Sequence, residues 1–149
     1  RVKRVEKYID GDCFMLTYGD GVTGLAINDL VAFHKSRGKI GTVTAVSPPS
    51  TFGELKVEGD QVVRFNEKPE SGELLISGGF FVFQREFFKY LSEEDDCVLE
   101  REPLERLVAD GQLAVLRYDG YWRCMDTYRD MVDLNEQWES GHAGWKVWE

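Results

Sequence analysis

The chain has 149 residues, of which 42% are hydrophobic and 30% charged, and its formal net charge is −9. That length suits one domain able to bury a working core. The negative charge argues against nucleic acid as a partner, and no apolar run approaches the ~20 residues that cross a bilayer, so no membrane partner is expected either.

Arg1-Val2-Lys3-Arg4 is not followed by an apolar segment of signal-peptide length. The chain does not begin with methionine, so an upstream segment is expected. Val2, Val5 and Ile9 recur at helical spacing before the Asp10-Gly11-Asp12 turn. Cys13 to Tyr18 is short, β-rich and apolar on both faces, which predicts an interior strand of a parallel sheet covered by helices. It runs into Tyr18-Gly19-Asp20-Gly21-Val22, a carboxylate between two glycines. In such sheets ligands collect beyond the carboxyl ends of strands. Asp20 is therefore either a metal-site carboxylate or the first residue of an ordinary Asp-Gly turn.

Ile27, Leu30, Val31 and His34 mark a covering helix, with Asn28 or Asp29 as its cap and Gly38 at its end. Ile40 to Val46 is a second strand, interrupted by the Ser47 to Gly53 loop with its paired prolines. Leu55 to Val57 and Val62 to Phe65 flank Glu58-Gly59-Asp60-Gln61 as a hairpin. Leu74 to Phe83 is an apolar run broken by Ser77-Gly78-Gly79, where paired glycines suggest close approach of a ligand or another backbone. Phe87, Phe88 and Leu91 form a helical stripe, and Glu93 to Asp96 is a solvated loop. Pro103 opens a helix through Leu104, Leu107 and Val108, with Gly111 past its end. Leu113 to Arg117 is a strand, and Met131, Leu134 and Trp138 mark the last helix. Strands alternating with helices, plus the hairpin insertion, give a mixed α/β layered domain.

Asp20 and Asp126 each end a strand-like run before a helix, so both can lie on one edge of the sheet. Together they could hold Mg²⁺, which takes oxygen ligands and completes its shell with water or phosphate. Taken alone, Asp126 reads more simply as a helix cap beside Thr127. Lys68, fixed by Pro69 after a strand, can aim an ammonium at a phosphate, and Glu67 can accept sugar hydroxyls. His34 reads as a packed histidine and His142 has no partner. Cys13, Cys97 and Cys124 lack the spacing of a disulfide framework or zinc site, which fits a reducing, cytoplasmic setting. Nothing near them marks an activated thiolate.

In order along the chain, Arg1-Val2-Lys3-Arg4-Val5, Thr17-Tyr18-Gly19-Asp20-Gly21-Val22, Phe33-His34-Lys35, Thr42 to Val46, Phe52-Gly53, Asn66-Glu67-Lys68-Pro69, Gly78-Gly79-Phe80-Phe81-Val82, Glu100 to Leu104, Met125-Asp126-Thr127 and Gly144 to Trp148 resemble the sugar-nucleotide pyrophosphorylase family of nucleotidyltransferases. The Trp-Lys-x-Trp ending is similar to the glucose-1-phosphate cytidylyltransferase branch. The resemblance implies the C-terminal part of a three-layer αβα nucleotide-diphospho-sugar transferase fold, with residues 1–149 as a partial domain. It implies Asp20 and Asp126 as Mg²⁺ ligands, with Asp20, Asp126 and Lys68 as the catalytic residues. It places Gly19 at the nucleotide and Gly53, Glu67 and Lys68 at the sugar phosphate, with Ser77 and Gly79 as further substrate-binding residues. CTP and glucose 1-phosphate would be the substrates, CDP-glucose and pyrophosphate the products, and nucleotide-sugar supply for O-antigen or lipopolysaccharide the setting.

The family's Gly-rich loop, Gly-Gly-x-Gly-Thr-Arg-Leu, does not occur in the chain. By this analogy the nucleotide-binding half is absent, and the 149 residues alone are expected not to turn over. Ser77 for asparagine, Leu99 for tryptophan, Ser50-Thr51 for Gly-Arg and Arg123-Cys124 for Gln-Pro are departures that bear on sugar choice rather than fold. The alternatives are a non-catalytic sugar-phosphate-binding or assembly module, and a transferase acting on another sugar phosphate. Edges left open by a partial domain favour a homo-oligomer.

Overall fold

The computed structural model describes residues 1–48, 54–66 and 74–148. Gly53, Glu67, Lys68 and most of the Pro-rich loop lie outside the described residues. The main sheet has four strands in the order β1-β6-β3-β7, with β1 over Cys13–Thr17, β3 over Gly41–Val46, β6 over Ile76–Gln84 and β7 over Leu113–Tyr118. β6 runs antiparallel to both neighbours, and β3 and β7 are parallel, so the sheet is mixed.

Alternation along β6 builds two cores, because successive side chains on a strand point to opposite faces. Phe81 and Phe83 face one way and join Phe87, Phe88, Leu91 and Leu107. The Phe83 and Phe87 rings stack with centroids 3.8 Å apart. Each such buried ring contributes about 1.5–3 kcal/mol relative to exposure. This face is covered by 3₁₀ helices over Lys3–Tyr8 and Arg85–Tyr90 and by α2 (Glu102–Ala109). Val82 faces the other way, onto Leu25 and onto Leu30 of α1 (Ile27–Arg37). Helices on both faces make the layers αβα.

Several expectations need correction. β1 is not an interior strand of a parallel sheet. It pairs antiparallel with β6 at the end of the strand order, and Met15 is 59% exposed. Its apolar side chains on both faces reflect one buried face, Phe14 and Leu16, and one open face. Asn28 and Asp29 do not cap α1. Ala26 is the N-cap, with no side-chain hydrogen bond, and Asp29 acts in the first turn, where a carboxylate suits the helix dipole. The segments around Val5 and Phe87 are 3₁₀ rather than α-helical. Gly38 does end α1, in the left-handed region at φ 60.

The Ser77-Gly78-Gly79 break is a bulge inside a continuous strand. Val43 pairs with Phe81 but Ala45 with Ser77, so Gly78, Gly79 and Phe80 face Thr44 alone. Gly79 has φ 76, and a Cβ there would lie 2.6 Å from Tyr18 Cδ2. The close approach foreseen for these glycines is made by a side chain of β1's own extension. The expected hairpin is β4 (Glu54–Glu58) with β5 (Gln61–Asn66). No helix among the described residues is long and apolar enough to cross a membrane.

Candidate metal and substrate site

A two-stranded ribbon that the sequence did not announce brings the acidic residues together. β2 (Gly21–Thr23) pairs antiparallel with β8 (Trp122–Cys124), and Gly21 lies opposite Cys124. The pairing continues one step further, because the Met125 N–H donates to the Asp20 carbonyl at 2.8 Å. Asp20 and Asp126 therefore leave the ribbon side by side. Trp122 ties the ribbon to the main sheet: its Nε1–H donates to the Gly78 carbonyl at 2.8 Å. The bulge makes this bond possible, since it takes Gly78 out of register with β3.

The Asp20 and Asp126 carboxylates and the Cys124 sulfur each offer one donor atom, all within 4.8 Å of one another. Both carboxylates are exposed and Cys124 is half-buried. Asp126 is not the helix cap. α3 (Tyr128–Glu139) starts with Thr127 as N-cap and Asp130 completes a capping box: the Asp130 N–H donates to Thr127 Oγ1 at 3.2 Å, and the Thr127 N–H donates to Asp130 Oδ2 at 2.8 Å. The Asp126 backbone N–H also donates to Asp130 Oδ2. With the helix terminus satisfied by others, the Asp126 carboxylate is left to accept the Cys124 thiol at 3.3 Å. Burial, that hydrogen bond and the charges of Asp20 and Asp126 push the Cys124 thiol up to about 11.

Asp20 also borders a cleft of about 900 Å³ between the end of β1, the first 3₁₀ helix and residues 91–100. Arg1 and Arg4 stand in its wall with Tyr18, Gly19 and Glu100. The Tyr18 hydroxyl donates to Glu100 Oε1 at 2.5 Å. Burial first, then the Glu100 hydrogen bond and charge, raise the Tyr18 phenol well above its usual range. Tyr18 thus stays neutral and serves as a donor.

Of the residues expected from sequence, the structure brings Asp20 and Asp126 together and places Gly19 in the cleft wall beside Asp20. Ser77 is exposed at the bulge, where its Oγ accepts from the Gly79 N–H at 3.3 Å. Gly79 is buried beneath Tyr18, and its carbonyl accepts the Tyr18 N–H at 3.0 Å. Gly53, Glu67 and Lys68 lie outside the described residues. His34 is the packed histidine expected: fully buried, with Thr42 Oγ1 at 2.8 Å and Gln84 Nε2 at 2.9 Å on its two ring nitrogens. Cys124, Trp122 and Glu100 were not foreseen as parts of the site. The two β-prone triplets beside the aspartates, Gly21-Val22-Thr23 and Trp122-Arg123-Cys124, are the signal that could have found the first two.

The donor set fits a hard divalent ion at its oxygens. Two exposed carboxylates are the usual protein share of a Mg²⁺ shell, the rest being water and phosphate. A neutral thiol adds nothing to such an ion.

Comparison with known proteins gives the frame for this geometry. The sequence pattern of the family described as Nucleotidyl transferase matches residues 2–141. A probable glucose-1-phosphate cytidylyltransferase of Bacillus subtilis is 39% identical over 148 residues, 99% of this chain and 58% of that protein. The glucose-1-phosphate cytidylyltransferase of Salmonella typhi is 44% identical over 150 aligned positions, 100% of this chain and 58% of that protein. The chain thus spans about 58% of the length of these relatives. Among solved structures, a putative glucose-1-phosphate thymidylyltransferase from Bacillus anthracis, in complex with a sucrose, superposes with a TM-score of 0.64 at 16% identity, over 99% of this chain and 61% of that one. HddC from Yersinia pseudotuberculosis superposes with a TM-score of 0.65 at 18% identity, over 92% of this chain and 60% of that one. At such identities the two structures speak for the fold alone, whereas the family pattern runs through β1, the β2–β8 ribbon and α3: this chain belongs to the nucleotidyl transferase family.

Proposed function

We propose that the protein serves nucleotidyl transfer from CTP to α-D-glucose 1-phosphate, giving CDP-glucose and pyrophosphate, with Asp20 and Asp126 as the Mg²⁺ ligands. The observation that carries this reading is the convergence of those two carboxylates through the β2–β8 ribbon, with Asp20 in the wall of a cleft. The identity of 39–44% to proteins named for that activity supports the choice of substrates.

The chemistry asks little of side chains as acids or bases. A sugar phosphate, with a second pKa of about 6, is already largely ionised at pH 7, so its oxygen attacks the α-phosphorus without a general base. One P–O bond forms, the bond to the β-phosphate bridging oxygen breaks, and its electrons leave with pyrophosphate. A divalent ion supplies neutralisation of charge on the phosphate oxygens and alignment of the two reactants. Asp20 and Asp126, at the end of the β2–β8 ribbon, would hold that ion. Tyr18 and Glu100, joined by their hydrogen bond, line the cleft that Asp20 borders, and Gly53, Glu67, Lys68 and Ser77 are proposed as the partners of the sugar phosphate.

The test is formation of CDP-glucose with Mg²⁺ and its loss in Asp20→Asn and Asp126→Asn, by at least ~100-fold if ground electrostatic positioning is removed. Because the chain spans only 58% of these relatives, ion binding is the companion readout: Mn²⁺ binding to the 149-residue chain, followed by electron paramagnetic resonance, must fail in either variant. Undiminished Mn²⁺ binding in both variants refutes the site. The second reading is a sugar-phosphate-binding module without turnover. Calorimetric binding of glucose 1-phosphate with no CDP-glucose would identify it.

A further inference from the structure

We propose that Cys124 turns the Asp20–Asp126 centre into a mixed-donor site that also takes a thiophilic divalent ion, Zn²⁺, through its sulfur and the two carboxylates. This rests on the reading of Asp20 and Asp126 as metal ligands and adds a third ligand of different chemistry. The three donor atoms already lie within 4.8 Å of one another, and the Cys124 sulfur is 3.3 Å from Asp126 Oδ1. With Zn–S near 2.3 Å and Zn–O near 2.1 Å, the edge of a tetrahedron is roughly 3.6 Å. The Cys124–Asp126 separation needs a change of only a few tenths of an ångström, and the edges to Asp20, bounded at 4.8 Å, a closure of up to about 1.4 Å. Gly21, the cross-strand partner of Cys124, has no side chain to cover the sulfur.

Zn²⁺ stands above Mn²⁺ in affinity for a given set of N, O and S donors, and thiolate is a ligand that Mg²⁺ does not use. On binding, the Cys124 S–H bond breaks, its proton goes to solvent, and the sulfur lone pair enters the metal shell. Three protein ligands leave one position of a tetrahedron open for water or a phosphate oxygen, against the several that an octahedral ion keeps. Zn²⁺ at this centre therefore competes with the ion that supports transfer and holds the phosphates in a different arrangement. Metal choice in this chain is set at a residue that neither carboxylate explains.

The test uses Co²⁺ as a spectroscopic stand-in for Zn²⁺, in a Cys13→Ser/Cys97→Ser background so that Cys124 is the sole thiol. The expected result is a sulfur-to-cobalt charge-transfer band that Zn²⁺ displaces and that Cys124→Ser abolishes, with Zn²⁺ affinity falling at least ~10-fold in that variant. A far-ultraviolet circular dichroism spectrum and a urea unfolding transition like those of the background protein show that Cys124→Ser is folded. No band in the background protein, or equal Zn²⁺ affinity with and without Cys124, overturns the proposal and leaves the two-carboxylate site standing. A sulfur band in a chain that binds no Mn²⁺ supports the Zn²⁺ site and refutes the Mg²⁺ reading, so the two fail separately.

Discussion

Replacing Trp122 by phenylalanine tests whether one hydrogen bond holds the acidic centre to the sheet. Phenylalanine keeps most of the ring packing and deletes the Nε1–H that donates to the Gly78 carbonyl at 2.8 Å. That carbonyl sits in the bulge, out of register with β3, in a buried residue. A buried acceptor left without a partner costs about 1–3 kcal/mol. Trp122 itself is only half-buried, so water reaches part of the site and the lower half of that range, about 1–2 kcal/mol, applies. With a urea m-value of about 2 kcal/mol/M, the unfolding midpoint should fall by roughly 0.5–1 M at constant m. The ribbon carries Asp20 and Asp126 on its ends, so Mn²⁺ affinity should weaken in the same variant under fully folded conditions. A midpoint shift below about 0.2 M together with unchanged Mn²⁺ binding would refute the reasoning, because that shift is worth only about 0.4 kcal/mol at this m-value.

Gly79→Ala must adopt a φ of 76 and place its Cβ 2.6 Å from the Tyr18 ring; left-handed strain alone costs about 1–3 kcal/mol, so differential scanning calorimetry should show a melting temperature lower by roughly 3–10 °C. Thr127→Ala removes the α3 cap and should cost about 1 kcal/mol in urea unfolding. Because it also frees the segment that holds Asp126, Mn²⁺ binding should weaken, whereas an effect on stability alone would show that the cap does not position Asp126. His34 is held neutral by burial, its pKa lowered from 6.5. A lowered folded pKa means the unfolded chain binds more protons, so the stability that His34 contributes is complete above about pH 6.5 and drains away as pH falls below it. The urea midpoint should therefore drop between pH 7.5 and 5.5 more in the parent than in His34→Gln, and equal drops would refute the assignment.

What could be read from the sequence was what is local. The apolar run in Leu74 to Phe83, the i, i+3, i+4 stripe ending at Gly38, and Pro103 at the first turn of α2 each report a segment's own preference and each forms its element, although β6 spans Ile76–Gln84 and continues through the glycines expected to break it. The edge position of β1 was not local information. Cys13 to Tyr18 carries apolar side chains on both faces, yet burial of Phe14 and Leu16 uses only one of them. Composition cannot separate a strand buried twice from one whose second face stays open. Pairing across the chain was equally hidden: Gly21-Val22-Thr23 and Trp122-Arg123-Cys124 are too short to show a period, and only the tertiary ladder makes them strands.

The identity of the acidic centre depended on a division of labour that no single residue reveals. Asp126 next to Thr127 looks like a cap because a helix start needs acceptors for its free N–H groups, and either residue could supply them. The choice is made three residues later. Asp130 at the third helical position reaches back to the N–H groups of both Thr127 and Asp126, and Thr127 returns the bond to Asp130. With that terminus closed, an Asp126 carboxylate turned inward would duplicate bonds already made, whereas turned outward it meets Asp20 and Cys124. The Ser/Thr-x-x-acid spacing of the capping box is thus what leaves Asp126 free for chemistry. The same argument makes Asp130 a positioning residue: Asp130→Ala should transfer the capping task to Asp126 and lower Mn²⁺ affinity without touching either proposed ligand.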